Sequence, residues 1–185
     1  MKEYSDDLSY AFEQIDAGTF EALVNHMIRV YRAKKKIFVA GNGGSAATAN
    51  HFVSDCGKNA VQGDRRRFRM LSLSDDIEKI TAFGNDVSFD SVFAEQLKSL
   101  IDEGDLLILI SASGNSPNIL RAAEYARAAG SAVVSLTGFD GGRLREISDI
   151  NLNTPLQTYE QVEDMHLILT HMIVSLFKTT PALLE

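Results

Sequence analysis

Two short clusters in this chain combine backbone freedom with hydroxyl and amide groups: Gly41-Asn42-Gly43-Gly44-Ser45 and Ser111-Ala112-Ser113-Gly114-Asn115-Ser116. Each follows a continuous apolar run, Ile37-Phe38-Val39-Ala40 in the first case and Leu106-Leu107-Ile108-Leu109-Ile110 in the second, and each opens a stretch that reads as helix. A short run that is apolar at every position suits a strand buried on both faces of a parallel sheet. The two clusters then stand at the carboxyl ends of parallel strands, where helix starts offer free N–H groups and the positive end of a dipole. The chemistry this favours is anion binding, with phosphate the obvious ligand.

A second set of residues has metal-ligand or acid–base character. His51 and Asp55 stand four apart on the helix that leaves the first cluster, so both project from one face. On the last helical stretch Glu160, Glu163 and His171 fall within roughly 80° of one another at 3.6 residues per turn, which lets Glu163 and His171 face one pocket two turns apart. Two histidines and two carboxylates complete a tetrahedral divalent site if the two helices meet. An i,i+4 His/Asp pair is also a common surface contact, and spacing alone leaves both readings open.

The elements that must position these groups read as alternating strand and helix. Helical material from about Ser5 to Arg32, with a break expected at Gly18, precedes the first strand. A helix from about Ser45 to Cys56 follows it, then a strand near Met70–Leu73 and helical pieces at Ile77–Phe83 and Val92–Ile101. Strand Leu106–Ile110 leads to helix Asn118–Ala129, strand Ala132–Leu136 to a short helix at Gly142–Ile147, and Ile150–Leu152 is the last strand. The expectation is an α/β fold, a doubly wound and mostly parallel five-stranded sheet flanked by helices. One domain over 1–185 is expected, with residues 1–33 as an N-terminal helical extension and 158–179 as a C-terminal helix. The C-terminal helix is so apolar that a second chain is expected to cover part of it.

Composition narrows the function classes. The 185 residues are 45% hydrophobic and 23% charged, enough apolar material for one substantial core. A net charge of −7 argues against broad attraction to nucleic acid, and the Arg65-Arg66-Arg67-Phe68-Arg69 run is one short cluster in an acidic chain. The single cysteine, Cys56, excludes an internal disulfide and reads as a small buried hydrophobe. No apolar stretch approaches the roughly 20 residues that span a bilayer. With no export signal in the sequence, a cytoplasmic protein with a small-molecule partner is expected.

The order of the motifs, Gly41–Ser45, then His51-Phe52, Asn85-Asp86, Ser111–Ser116, Leu136-Thr137-Gly138 and Asp140-Gly141-Gly142, closely resembles the sugar isomerase (SIS) domain family. Within it the chain is most similar to the phosphoheptose isomerases, along nearly its whole length. The resemblance implies ligand binding at Asn42, Gly43, Gly44 and Ser45, at Asn85 and Asp86, and at Ser111, Ala112, Ser113 and Ser116, with the serine turn on a phosphate. It implies a zinc ion, one per subunit, on His51, Asp55, Glu163 and His171, and catalytic roles for Asp55, Glu163 and His171, the two carboxylates also touching substrate. The implied reaction converts sedoheptulose 7-phosphate to D-glycero-D-manno-heptose 7-phosphate by proton transfer through an enediolate, for heptose, lipopolysaccharide or capsule synthesis. A homotetramer with active sites between subunits is implied as well.

Departures from the family pattern bear on the chemistry. Phosphoheptose isomerases usually carry Glu at the position of Asp55 and Gln at that of Glu163. Asp is one methylene shorter, and a displacement of about 1 Å can cost a hundredfold in rate. Asp55 is therefore read mainly as a ligand, and Glu163 as sharing or taking the base role. Two carboxylates with two neutral imidazoles would bring a zinc site to zero net charge, favouring retention of the ion over Lewis acidity. Ala112 stands where the family often has Thr, and Lys58 near where it often has Arg, as a substituted cation or a solvated loop lysine. His166, about 140° from His171 around the helix, is expected at an interface, and His26 is read as structural. The alternatives are a non-catalytic SIS protein resembling the regulator that binds the replication initiator, or an isomerase for another sugar phosphate. That regulator type lacks the histidine that this chain retains as His171.

Overall fold

The computed structural model describes Met1–Glu185 and contains five strands: β1 (Lys36–Gly41), β2 (Arg69–Ser72), β3 (Leu106–Ser111), β4 (Ala132–Gly138) and β5 (Ile150–Thr154). They form one sheet in the order β2-β1-β3-β4-β5, and every pair is parallel. Eight helices accompany them: α1 (Lys2–Glu13), α2 (Ala17–Arg32), α3 (Gly44–Lys58), α4 (Ile77–Asp86), α5 (Val92–Leu97), α6 (Pro117–Ala128), α7 (Gly142–Ile147) and α8 (Tyr159–Thr179).

Strand residues alternate between the two faces with period two. Ile37, Val39, Ile108 and Ile110 pack with Met27, Phe52, Leu169, Ile173 and Phe177 from α2, α3 and α8. Phe38, Leu107 and Leu109 pack with Phe93, Leu97, Ile119 and Ala123 from α5 and α6. All six residues of β3 are buried, as its uninterrupted apolar run requires. After β1 the chain winds outward to β2, and it then returns to β3 on the other side of β1. The helices that follow β1 and β3, α3 and α6, therefore lie on opposite faces of the sheet. This is the topological switch point at which open α/β sheets bind ligands.

Two expectations need correction. The N-terminal helix breaks at Gln14–Asp16 rather than at Gly18, because Asp16 caps α2 and its carboxylate accepts from the Thr19 N–H at 2.7 Å. The stretch expected as one helix to Ile101 ends at Leu97. The apolar residues of α8 are also largely covered by the chain itself. Met165, Leu169, Ile173 and Phe177 are at most 1% exposed, and Ile168, at 37%, is the large aliphatic left on the solvent side. Helix α8 lies beside α3 on the same face of the sheet, and α1 covers its start, with Tyr4 donating to Asp164 at 2.7 Å and Gln161 to Asp7 at 3.0 Å. What is left for a second chain to cover is the side carrying Ile168, with Leu167 and Met172 partly exposed.

The arginine cluster serves the fold. Arg65, Arg66, Arg67 and Arg69 donate to the carbonyls of Pro181, Tyr31, Lys58 and Lys34. Cys56 is fully buried in the core, and burial pushes its thiol up, away from reactivity. His26, half-buried on α2, accepts from Arg29 at 2.9 Å, and burial lowers its pKa, with Arg29 adding to the shift.

His166 is not at an interface but inside the chain. It is 0% exposed, and neither ring nitrogen has a hydrogen-bond partner of good geometry. Burial pushes its pKa down to about 4, the Thr137 backbone pulling the other way. An unfolded histidine takes a proton near pH 6.5 whereas the folded one stays neutral, so stability falls as pH drops from about 6.5 towards 4. Urea unfolding of wild type and His166→Met between pH 7 and 4.5 should differ by about 2–3 kcal/mol in their loss of stability. Equal losses in the two proteins would show that His166 does not carry the effect.

Candidate active site

The first glycine cluster turns the chain from β1 into α3. Gly43 caps α3 with φ +55° and ψ −125°, a conformation that side-chain-bearing residues avoid. At Gly44 the bare Cα makes room for the Glu163 carboxylate, which a Cβ there would displace. No side chain caps α3, which leaves N–H groups of its first turn for a ligand.

The serine cluster turns β3 into α6. Ser116 occupies the N-cap position with Pro117 next to it, as the residue types suggest, but its hydroxyl makes no capping bond. The turn is braced from beneath by the Asp140–Gly142 segment. Gly114 N–H donates to the Ser111 carbonyl at 3.1 Å and its carbonyl accepts from Leu144 at 2.9 Å, while Asn115 accepts from the Arg143 N–H at 3.0 Å. The later glycine motif thus supports the serine turn rather than forming a site of its own.

The two turns are joined by a reciprocal amide pair. Asn42 Nδ2 donates to Asn118 Oδ1, and Asn118 Nδ2 to Asn42 Oδ1, both at 2.9 Å. Between the turns lies a cavity of about 150 Å³ lined by Asn42, Ser45, Ile110, Ser111, Ala112, Ser113, Ser116, Tyr159 and Glu163. Small-molecule sites usually exceed about 300 Å³, so this cavity suits a head group, with the rest of a ligand extending outward. No lysine or arginine lines it. An anion there is met by hydroxyls, amides and two helix starts.

Farther along α3, His51 and Asp55 meet His171 of α8. The two Nε2 atoms are 3.1 Å apart, and Asp55 Oδ2 is 3.3 Å from His51 and 3.7 Å from His171. Ligand atoms at about 2.0–2.2 Å from a tetrahedral ion stand roughly 3.3–3.5 Å from one another, so the three separations match the edges of such a site. Asn59 Nδ2 donates to Asp55 Oδ1 at 2.8 Å, which fixes the carboxylate with Oδ2 towards the imidazoles. Both imidazole side chains are about half exposed, at 50% and 49%, so the group opens to solvent on one side. It can hold a metal ion with three protein ligands and leave a position for substrate.

Glu163 does not join this group. It precedes His171 by eight residues, two turns or about 12 Å along the axis, and its carboxylate stands apart from the three clustered ligand atoms. Its carboxylate lies against Gly44 and faces the anion pocket instead. Burial raises its pKa, and the neighbouring Glu160 and Asp164 raise it further. Asn85 and Asp86 are exposed on the last turn of α4, hydrogen-bonded to each other at 2.7 Å and outside the pocket lining. Lys58 is exposed at the far end of α3.

Two residues of the site escape a reading of the sequence. Asn118 is 2% exposed and completes the amide pair. Its signal is a polar residue at the second position of a helix whose start is functional. Tyr159, the first residue of α8, carries no signal, because nothing local says that α8 begins beside the end of β3.

The sequence profile of the SIS domain matches residues 3–138. A phosphoheptose isomerase of Aliarcobacter butzleri is 42% identical over 138 residues, 75% of this chain and 72% of that protein. The structure of a phosphoheptose isomerase from Neisseria gonorrhoeae superposes with a TM-score of 0.88 at 31% identity, covering 96% of this chain and 94% of the other. One from Francisella tularensis gives 0.87 at 28% identity, with the same coverage. The two structural likenesses cover 96% of the chain and so extend past the profile. The chain belongs to the SIS domain family, in its phosphoheptose isomerase branch, and is a sugar-phosphate isomerase.

Proposed function

We propose that this isomerase converts sedoheptulose 7-phosphate to D-glycero-D-manno-heptose 7-phosphate with one zinc ion per subunit. The observation that carries the reading is the convergence of His51, Asp55 and His171 beside an anion pocket built by the same helix pair. The phosphate lies between the two turns, held by Ser45, Ser111, Ser113 and Ser116, by Asn42, and by the backbone at Gly43, Gly44 and Ala112. From Ser45 to His51 the axis of α3 rises about 9 Å, which sets the reacting end of an extended ligand at the metal group. Asn85 and Asp86 serve the sugar from outside the pocket.

Zinc held by His51, Asp55 and His171 would polarise the substrate carbonyl. One carboxylate and two neutral imidazoles leave a divalent site with net charge +1, so the Lewis acidity that a second carboxylate would weaken is kept. Asp55 has both oxygens engaged, Oδ1 by Asn59 and Oδ2 by the imidazoles, and is a poor choice of base. Glu163 is free of such partners and its raised pKa strengthens it as a base, so it moves the proton between adjacent carbons. His171 acts as a ligand, since its Nε2 points at His51 and Asp55. A homotetramer in the cytoplasm, supplying heptose for lipopolysaccharide or capsule, fits the family. No helix is long and apolar enough to cross a membrane.

Purified protein should isomerise sedoheptulose 7-phosphate only with zinc, and His171→Ala should abolish turnover. Zinc-independent turnover, or none with zinc bound, would refute the assignment. Glu163→Gln should keep zinc and KM while kcat falls about 10²–10⁴-fold, whereas Asp55→Asn should lose zinc. A fully active Glu163→Gln beside an inactive Asp55→Asn would reverse the two roles.

A further inference from the structure

Tyr159 lines the anion pocket, and the chemistry above gives it no task. Its side chain meets Phe139 edge-on, with ring centroids 5.2 Å apart and planes at 66°. Phe139 is itself held firmly: its φ is +51°, its N–H donates to the Leu156 carbonyl at 3.1 Å, and its carbonyl accepts from Asn153 at 3.3 Å. Tyr4 and Tyr31 donate their hydroxyls to Asp164 and to the Arg66 carbonyl, whereas the Tyr159 hydroxyl has no partner within the chain.

The pocket has use for that donor. Ala112 interrupts the serine turn with a methyl group, which packs into the apolar cluster that Phe139 also touches. The donors of the turn are therefore the hydroxyls on either side of Ala112, and no cation compensates. Glu163 adds a carboxylate to the same lining, which opposes an anion unless another donor faces it.

We infer that Tyr159 is a binding residue for the anionic head group: its phenol donates to a phosphate oxygen and supplies the hydroxyl that the turn lacks at Ala112. Phe139 is its positioning residue. The edge-on contact gives the ring, 58% exposed, a packed side at the pocket lining, which limits the rotamer freedom lost when the hydrogen bond forms. The inference rests on the pocket between the two turns being the phosphate subsite. An interaction made equally with substrate and transition state changes KM and leaves kcat alone.

The test compares wild type, Tyr159→Phe and Tyr159→Ala, each checked for fold by circular dichroism. Inorganic phosphate binding is measured by calorimetry, and kcat and KM with sedoheptulose 7-phosphate. Tyr159→Phe keeps the ring and removes the donor, and should weaken phosphate binding and raise KM about tenfold while kcat stays within about twofold. Tyr159→Ala should be affected at least as much. Phosphate affinity unchanged in Tyr159→Phe would overturn the inference, as would a loss confined to Tyr159→Ala, which would assign the effect to the ring. If wild type binds phosphate but does not turn over this sugar, the substrate assignment fails and the phosphate titration still decides the role of Tyr159.

Discussion

The parallel pairing of β1 with β3, from Ile37 opposite Leu106 to Gly41 opposite Ile110, is the contact on which the site depends. It places two turns far apart in sequence side by side at one sheet edge. Because the chain reverses its winding direction there, α3 and α6 leave on opposite faces and their starts converge on the space between. The buried Asn42–Asn118 amide pair fastens that convergence, with each side chain serving as both donor and acceptor to the other. With these partners satisfied, the seam is fixed without a charged group, and the serine hydroxyls remain free for a ligand.

A second constraint is the close approach of α8 to α3. Gly44 makes room for the Glu163 carboxylate at the anion pocket, and His51, Asp55 and His171 exploit the approach farther along the same pair of helices. The anion pocket and the metal group are thus two levels of one helix–helix seam, with Glu163 at the upper level and His171 at the lower. Eight residues of α8 separate the two, and the Glu163 carboxylate stands at the pocket while the His171 imidazole stands with His51 and Asp55. Asp55 joins the two imidazoles, and Glu163, raised in pKa by burial, lines the pocket. The local field at the pocket is made by helix dipoles and hydroxyls, so the chain's net charge of −7 does not set its preference for an anion.

What was legible in the sequence was what is decided locally. The apolar runs of β1 and β3, the turns after them, and the i,i+4 spacing of His51 and Asp55 each depend on a few neighbouring residues. The doubly wound sheet followed from the alternation of strand and helix, and the family from the order of these motifs. The cap at Asp16 outranked the glycine at position 18 because a side-chain hydrogen bond marks a helix start more strongly than a residue merely tolerated inside one. The coverage of α8 by its own chain, the placement of Glu163 at the pocket, and the arrival of Tyr159 there all depend on how α8 packs against α3 and the sheet. No pattern within α8 encodes that. Asn85 and Asp86, placed at the pocket by resemblance, stand on a helix with no buried residue, and here too a tertiary relation decides.

The central claim is that the two turns form one anion site because Asn118 ties them together. Calorimetric titration of inorganic phosphate into wild type and Asn118→Ala, with folding verified by circular dichroism, tests it directly. The account predicts that the folded variant binds phosphate at least tenfold more weakly, since Asn42 loses its partner and the turns lose their register. Equal affinity in the two proteins would contradict it and would mean that one turn alone makes the site.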